Sequence, residues 1–137
     1  MNAFVLDASV ACAWLFEDES TPSLQKLLDL TVTCDVYVPA LWHIEVANTL
    51  IQALRRQRIT EQGVIKGWDY LQQMRIHTVS TQSPIETLLE VSQEHGLTAY
   101  DAEYLALAQR LGLPLATLDS TLRRAAQRAG LTVLGKS

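Results

Sequence analysis

The sequence contains few cysteines, few charged residues and no long hydrophobic run. Cys12 and Cys34 match neither a metal-ligand spacing nor the cysteine framework of a small secreted protein, so we expect both to be reduced core residues. No apolar run approaches the roughly 18 residues that a membrane-spanning helix needs. The N-terminal stretch MNAFVLDAS lacks the basic segment and the cleavage site of a secretion signal. These absences predict a cytoplasmic protein that does not enter a membrane.

Positive charge is also scarce, with 11 Lys and Arg against 15 Asp and Glu and a formal net charge of −4. A protein that coats nucleic acid is usually basic, so this class is disfavoured. An enzyme that acts on nucleic acid stays compatible, because bound cations can supply positive charge at the site. The arginines concentrate in two clusters, Arg55, Arg56 and Arg58 in one, and Arg123, Arg124 and Arg128 in the other. Both clusters fit either solvated helix ends or contacts to RNA phosphates.

The length is sufficient for one globular domain, 1–137, and no linker or repeat divides it. Short apolar runs typical of buried strands alternate with helical patterns. The predicted strands are 3–6, 36–39, 76–80, 115–118 and 132–134, and the predicted helices are 9–16, 22–31, 41–57, 60–74, 84–96, 98–111 and 120–129. The predicted apolar stripe of the third helix comprises Ile44, Ala47, Ile51 and Leu54. The alternation predicts an α/β domain with a parallel sheet that helices cover on both faces.

Acidic residues stand at the boundaries of several of these elements. Asp7 ends the first strand and Asp119 follows the fourth, and each also fits a helix N-cap. Glu45 lies on the polar face of the third helix, in the first turns, where the helix dipole favours an acid. Asp101 is the last residue of TAYD, which fits a capping box. Taken singly, each acid therefore has an ordinary structural explanation.

Together the four acids indicate a binding site, because the C-terminal ends of parallel strands lie at one edge of the sheet, where ligands bind. Carboxylates gathered there raise one another's pKa unless a cation pairs with them. No Lys or Arg is adjacent in sequence to any of the four, and His43, His77 and His95 show no metal-ligand spacing. Oxygen ligands favour Mg²⁺ or Mn²⁺ over zinc. Such a site suits metal-assisted hydrolysis of a phosphodiester.

Three stretches that carry these acids resemble the PIN-domain nucleases, and most closely the VapC toxins of bacterial toxin–antitoxin pairs. They are FVLDASVACAWLFEDE, VPALWHIEVANTL and LTAYDAEYLALAQRLGLPLATLD, and the resemblance extends over essentially the whole chain. It implies a three-layer α/β/α sandwich with a central parallel sheet of about five strands. It also implies an endoribonuclease that depends on Mg²⁺ or Mn²⁺ and leaves a 5′-phosphate and a 3′-hydroxyl.

The resemblance also assigns roles to particular residues. The catalytic and metal-binding acids that it implies are Asp7, Glu45, Asp101 and Asp119. Ser9 would orient Asp7, Thr98 would fix the helix start that directs Asp101, and Thr117 would support the last aspartate. Glu103 departs from the small residue that the family pattern favours, and its different helical face predicts an exposed acid or one at the rim of the site.

The resemblance also implies particular binding partners. VapC-like toxins typically cut structured RNA such as tRNA, act as homodimers and are inhibited by a cognate VapB-type antitoxin. We therefore expect an RNA substrate, an antitoxin and a second copy of the chain. The apolar residues Trp14, Leu15 and Phe16, together with the surroundings of Trp42, are the expected surface for the antitoxin. The arginine clusters become candidate contacts to RNA phosphates.

Two other classes of enzyme and one class of binding protein share parts of this pattern. A receiver domain needs adjacent acids after the first strand and a lysine after a later one, whereas Asp7 stands alone and Lys26, Lys66 and Lys136 lie elsewhere. A phosphatase with an Asp nucleophile needs a second acid where Ser9 stands. The remaining alternative is a catalytically weak PIN-like module that binds RNA or protein. The presence of all four acids argues against this alternative.

Overall fold

The computed structural model describes residues 1–135 as five strands and seven α-helices. The elements are β1 (Ala3–Leu6), α1 (Ala8–Ala13), a 3₁₀ turn (Glu17–Glu19), α2 (Pro22–Leu30), β2 (Asp35–Pro39), α3 (Leu41–Arg55), α4 (Glu61–Gln72), β3 (Ile76–Val79), α5 (Ile85–His95), α6 (Ala99–Leu111), β4 (Leu115–Ala116), α7 (Ser120–Arg128) and β5 (Val133–Leu134). Each predicted strand and helix is present, although β4 pairs over only two residues. The single domain predicted for 1–137 stays a prediction, and Lys136 lies outside the described residues.

The strands form one parallel sheet in the order β3-β2-β1-β4-β5, with helices on both faces. The three-layer α/β/α sandwich with a central parallel sheet is therefore confirmed. The chain continues from β1 through β2 to β3 on one side, and then returns to β4 on the other side of β1. A reversal of this kind opens a crevice beyond the C-terminal ends of the two strands that flank it. In this protein those strands are β1 and β4, which Asp7 and Asp119 follow.

Helix α6 is buried on nearly all sides because it packs against β1, β2 and β4 on the sheet and against α5 and α7 beside it. Its residues from Ala102 to Ala108 are all buried, which explains the apolar sequence of this helix. Thr98 caps the helix by accepting a hydrogen bond from the Asp101 backbone N–H at 3.2 Å, as the sequence predicts. Within residues 1–135, no helix is both long enough and apolar enough to cross a membrane.

Helix α3 buries a different face from the one predicted. Its buried residues are Trp42, Val46, Leu50 and Ala53, whereas Ile44 and Ile51 of the predicted stripe are 73% and 45% exposed. Both sets recur with helical spacing, so the periodicity of this helix is compatible with two apolar faces. Only one of them packs into the core, where α3 contacts α1. The other remains on the surface as an apolar face.

Candidate active site

A cleft of about 510 Å³ brings the four predicted acids together at the C-terminal edge of the sheet. Asp7, Glu45, Asp101 and Asp119 all line it, and they come from the end of β1, from α3, from α6 and from the turn between β4 and α7. Ser9 lines the same cleft, and Thr117 lies beneath it with no exposed surface. The fold therefore places side chains from distant parts of the chain around one opening.

Asp7 is the most constrained of the four acids. Its Oδ2 atom accepts hydrogen bonds from Ser9 Oγ and from Thr117 Oγ1, both at 2.7 Å. Although Asp7 stands at the N-cap of α1, its side chain makes no capping bond there. Burial raises the pKa of the Asp7 carboxyl, while the hydrogen bonds from Thr117 and Ser9 oppose this effect. The carboxylate is thus fixed in position in an environment that disfavours its charge.

The two hydroxyl groups also connect Asp7 to the turn that carries Asp119. Ser9 Oγ accepts a hydrogen bond from the Leu118 N–H at 3.1 Å, and Thr117 Oγ1 accepts one from the Asp119 N–H at 3.0 Å. Each hydroxyl therefore donates to Asp7 and accepts from the turn. The relative position of the two aspartates is set by these bonds.

Glu45 is half-buried, and its Oε1 atom accepts a hydrogen bond from the phenol of Tyr104 at 2.7 Å. Burial raises the pKa of Glu45, the bond from Tyr104 lowers it, and the nearby charge of Asp7 raises it further. Tyr104 itself has no exposed surface. The sequence reasoning did not find Tyr104, although its position three residues after Asp101 puts both on one helical face.

Asp101 and Asp119 occupy the first turn of α6 and the N-cap of α7. Asp119 Oδ1 accepts a hydrogen bond from the Leu122 N–H at 2.9 Å, so this acid both caps a helix and lines the cleft. The Asp101 carboxylate accepts no hydrogen bond from the described residues, so only half of the predicted capping box forms. Burial, followed by the charges of the other three acids, raises the pKa of Asp101 to about 6. The site therefore holds more negative charge than its own side chains neutralise.

This charge fits a hard divalent cation, because the donors are carboxylate oxygens and each acid lies within the electrostatic influence of at least one other. In the described part of the chain, no three Asp, Glu, His or Cys side chains are grouped closely enough to enclose an ion as they stand. The acids instead line an open cleft. Carboxylates can change rotamer when an ion binds, so this open arrangement is compatible with a cation held by the four acids.

The predicted arginines differ in their relation to the cleft. Arg58 lines it, and its Nη2 atom lies 3.0 Å from Asp18 Oδ1 and 2.7 Å from Glu19 Oε2. Arg123 is half-buried, and its Nη2 atom donates to the Thr117 carbonyl at 3.4 Å. The others, Arg55, Arg56 and Arg124, are exposed and do not line the cleft. Contact with RNA stays a prediction for all five.

Glu103 is buried and is not a rim acid. Only 4% of its surface is exposed, and its two carboxylate oxygens accept hydrogen bonds from Ser83, one from the backbone N–H at 3.0 Å and one from the hydroxyl at 2.6 Å. Ser83 is also buried. Glu103 therefore fixes the segment that precedes α5 onto α6, and the prediction of an exposed or rim position is wrong.

We expect Glu103→Ala to lower the free energy of unfolding by about 2–3 kcal/mol, because the Ser83 N–H and hydroxyl would be left buried without an acceptor. Urea denaturation measures this change, and Glu103→Gln, which keeps one acceptor oxygen, should lose less. The folded fraction of both proteins should retain its activity. A loss of activity without a loss of stability would instead place Glu103 in the site.

The chain is similar in sequence and in fold to known proteins of one family. The family model described as PIN domain matches residues 4–128. The chain is 36% identical over 120 residues to Ribonuclease VapC9 of Mycobacterium tuberculosis, covering 86% of this chain and 87% of that protein. It is 27% identical over 122 residues to Ribonuclease VapC3 of Pyrobaculum aerophilum, covering 86% and 90%. The crystal structure of PAE2754 from Pyrobaculum aerophilum has a similar fold, with a TM-score of 0.72, 22% identity, and coverage of 96% of this chain and 89% of that one.

Proposed function

The chain belongs to the PIN-domain family, and from this premise we propose that it is a VapC-type toxin, an endoribonuclease that hydrolyses RNA with the help of Mg²⁺ or Mn²⁺. The observation that carries the proposal is the convergence of Asp7, Glu45, Asp101 and Asp119 on one cleft, where none of them forms an ion pair with a Lys, Arg or His of residues 1–135. Structured RNA such as tRNA is the proposed substrate class. The two sequence relatives support the proposal because both are named as ribonucleases.

Asp7 and Asp101 would be the main ligands of the cation, and Glu45 and Asp119 would complete the set. A bound divalent ion supplies Lewis acidity toward a phosphodiester oxygen and lowers the pKa of water. The hydroxyl groups of Ser9 and Thr117 both bind Oδ2 of Asp7 and so fix the orientation of its carboxylate.

Tyr104 orients Glu45, the acid of the site that stands on α3. Its phenol donates to Glu45 Oε1 from a position that is fully enclosed by the core, so the bond fixes the rotamer of Glu45. Burial and the neighbouring acids raise the pKa of the Tyr104 phenol, so Tyr104 remains a hydrogen-bond donor at neutral pH. Tyr104 is thus a positioning residue.

We expect Tyr104→Phe to lower kcat about tenfold with little change in KM, because a hydrogen bond to a charged group contributes roughly 1.5–3 kcal/mol and part of it is regained from water. Steady-state cleavage of a labelled RNA measures both constants. Tyr70→Phe, which changes a 46% exposed tyrosine on α4, is the matched control and should cleave at the wild-type rate. Equal rates for both variants would remove the assigned role of Tyr104.

The proposed activity itself is tested by incubating the purified protein with total RNA and mapping the ends that appear. We expect discrete cuts that leave a 5′-phosphate and a 3′-hydroxyl, and growth arrest when the protein is expressed in cells. The alternative, a catalytically weak RNA- or protein-binding module, predicts that RNA is bound but stays intact. RNA that stays intact with either cation present would refute the nuclease proposal.

We assign the exposed apolar face of α3 and α4 to the antitoxin. A groove of about 420 Å³ between the two helices is lined mainly by apolar side chains, among them Val46, Leu50, Leu54, Ile65 and Trp68. A second depression, which also contains Ile44 and Tyr100, lies between this groove and the active-site cleft. It shares Ala47 and Ile51 with the groove, and it shares Glu45 and Asn48 with the cleft. An apolar segment that binds in the groove can therefore extend to the acids. Ile51→Glu should abolish co-purification of a co-expressed antitoxin, and continued co-purification of the antitoxin with this variant would rule this surface out.

Trp42, which was expected near the antitoxin surface, cannot contact a partner because it has no exposed surface. Phe16 is also buried, and the guanidinium of Arg58 lies over its ring. Trp14 and Leu15, the other residues of the expected surface, are half-buried, and their contact with the antitoxin stays a prediction. The groove adjoins the expected surroundings of Trp42, because Trp68, which lines the groove, lies with its ring centroid 6.3 Å from that of Trp42. The homodimer remains part of the proposal, and light scattering on the purified protein tests it by giving the mass of one chain or two.

A further inference from the structure

A cluster of charged and aromatic residues stands at the mouth of the active-site cleft. The Arg58 cluster comprises Phe16, Asp18, Glu19 and Arg58, and three of its members, Phe16, Glu19 and Arg58, line the same cleft as the four acids. The guanidinium carbon of Arg58 lies 3.8 Å from the centre of the Phe16 ring. Within residues 1–135, Arg58 is the one Lys or Arg that lines this cleft.

The backbone after α3 fixes the position of Arg58. Gln57 adopts a left-handed conformation with φ of 58°, and the Arg58 N–H donates to the Ala53 carbonyl at 2.8 Å. The Gln57 N–H donates to the Leu54 carbonyl at 3.0 Å. These two bonds form a Schellman motif, which ends the helix and turns the chain sharply. The turn brings Arg58 to the 3₁₀ turn, about 40 residues earlier in the chain.

The hydrogen bonds within the cluster leave some N–H groups of Arg58 without an acceptor among the described residues. All three of its hydrogen bonds come from Nη2, which contacts both carboxylate oxygens of Asp18, at 3.0 and 3.2 Å, and Glu19 Oε2 at 2.7 Å. A guanidinium carries five N–H groups, and Nη1 and Nε donate to none of the described residues. The Arg58 side chain is 40% exposed. A second anion can therefore reach it without unfolding of the turn.

We propose that Arg58 binds a phosphate of the RNA as it enters the cleft, and that Asp18 and Glu19 compete with this phosphate for the guanidinium. The inference rests on the proposed function, because it takes RNA as the ligand. An arginine forks onto phosphate as well as onto carboxylate, so one anion can replace the other. The two acids hold Arg58 in place over Phe16. They also weaken the binding of any RNA whose only contact with the protein is the one between its phosphate and Arg58. Arg58 thus increases the affinity for RNA, and Asp18 and Glu19 reduce this increase.

The test measures binding of a fluorescein-labelled synthetic RNA hairpin by fluorescence anisotropy over a range of salt concentrations. The chain carries Asp101→Asn throughout, so that cleavage does not interfere. We expect Arg58→Gln to weaken binding about tenfold and to reduce the salt slope by about one, as for the loss of one phosphate contact. The double variant Asp18→Asn/Glu19→Gln should bind the hairpin several-fold more tightly. This gain should vanish when Arg58→Gln is added.

A matched control separates this exchange from a general change of charge. Glu17→Gln/Asp29→Asn removes two exposed acids that do not contact Arg58, so any gain in affinity should be smaller and should persist in the Arg58→Gln background. Circular dichroism checks that each variant folds. If Arg58→Gln does not fold, Arg58→Lys takes its place, and it should keep the salt slope while losing affinity.

Two results would overturn the proposal. One is an unchanged affinity and salt slope in Arg58→Gln, and the other is an equal gain from Asp18→Asn/Glu19→Gln with and without Arg58. A parallel cleavage assay on the chain with Asp101 intact separates this outcome from the proposed function. Absence of cleavage there would refute the nuclease, whereas the binding data decide on Arg58 alone.

Discussion

We expect the single substitution Asp101→Asn to abolish RNA cleavage and, at the same time, to raise the melting temperature of the protein in the presence of a chelator. Asp101 is a proposed ligand of the cation, so its loss should lower the rate by at least about 10²–10³-fold. The gain in stability has an electrostatic origin. In the folded protein, burial and then the charges of Asp119, Asp7 and Glu45 raise the pKa of Asp101 to about 6.

The sign of the stability change follows from this shift. The ordinary pKa of the carboxyl is 3.8, so above a pH of about 6 the folded state carries a charge that costs more there than in the unfolded chain. A neutral asparagine removes that cost. Because Asp101 is only partly buried, the gain is about 1 kcal/mol, which corresponds to roughly 3–5 °C for a domain of this size.

Cleavage of RNA and thermal melting at pH 7.5 measure the two effects on the same preparations. Glu86→Gln is the matched control, because Glu86 is also an acid in the first turn of a helix but is exposed and does not line the cleft. This variant should cleave normally and should be no more stable than the wild type. Equal cleavage by Asp101→Asn and the wild type would show that the activity is a contaminant and that the assignment is wrong.

The second large effect that we expect is a pH-dependent stabilisation by Mg²⁺ or Mn²⁺. In the presence of a chelator, the raised pKa of Asp101 makes the protein less stable as the pH rises from about 4 through about 6. Burial raises the pKa of Asp7 in the same direction. A divalent ion binds the ionised carboxylates, and at a concentration of 100 Kd it stabilises the folded state by about 2.7 kcal/mol. The melting temperature should then rise by roughly 8–13 °C at pH 7.5.

At pH 5 the same addition should raise the melting temperature much less, because protons compete with the ion for the carboxylates. Differential scanning fluorimetry measures all four conditions, and NaCl at matched ionic strength is the control for general screening. The account would be wrong if the rise were the same at both pH values, or if NaCl reproduced it.

The sequence predicts the helices and strands of this protein better than it predicts how they pack against one another. The strands are predicted because each is a short apolar run, and α6 because Thr98 and Gly112 mark its two ends. The buried face of α3 is not predicted, because Ile44 and Ile51 repeat with the same spacing as Trp42 and Val46. Only the way in which the helix packs against α1 and the core decides between the two faces.

In the candidate site, the acids are predicted from the sequence, whereas the hydrogen-bond partners of other polar residues are not. The four acids are visible in the sequence because Asp7, Asp101 and Asp119 lie beside the boundaries of elements, and Glu45 lies in the second turn of α3, close after β2. The partners of other polar residues lie far away along the chain: Glu103 binds Ser83, Tyr104 binds Glu45, and both contacts depend on packing between elements. Tyr104 in particular has the local sequence of an ordinary core residue. Its role becomes apparent only when the fold brings its phenol within hydrogen-bond distance of Glu45 on α3.

The claim on which the account depends is that the carboxylates of the cleft bind a divalent ion. Titration with Mn²⁺, followed by electron paramagnetic resonance, measures this binding directly in the wild type, in Asp101→Asn and in Glu103→Gln. We expect saturable binding to the wild type and to Glu103→Gln, and binding at least about tenfold weaker in Asp101→Asn, since even residues that only orient a ligand contribute that much to metal affinity. Equal affinity in the wild type and Asp101→Asn, or no binding to the wild type, would contradict the account.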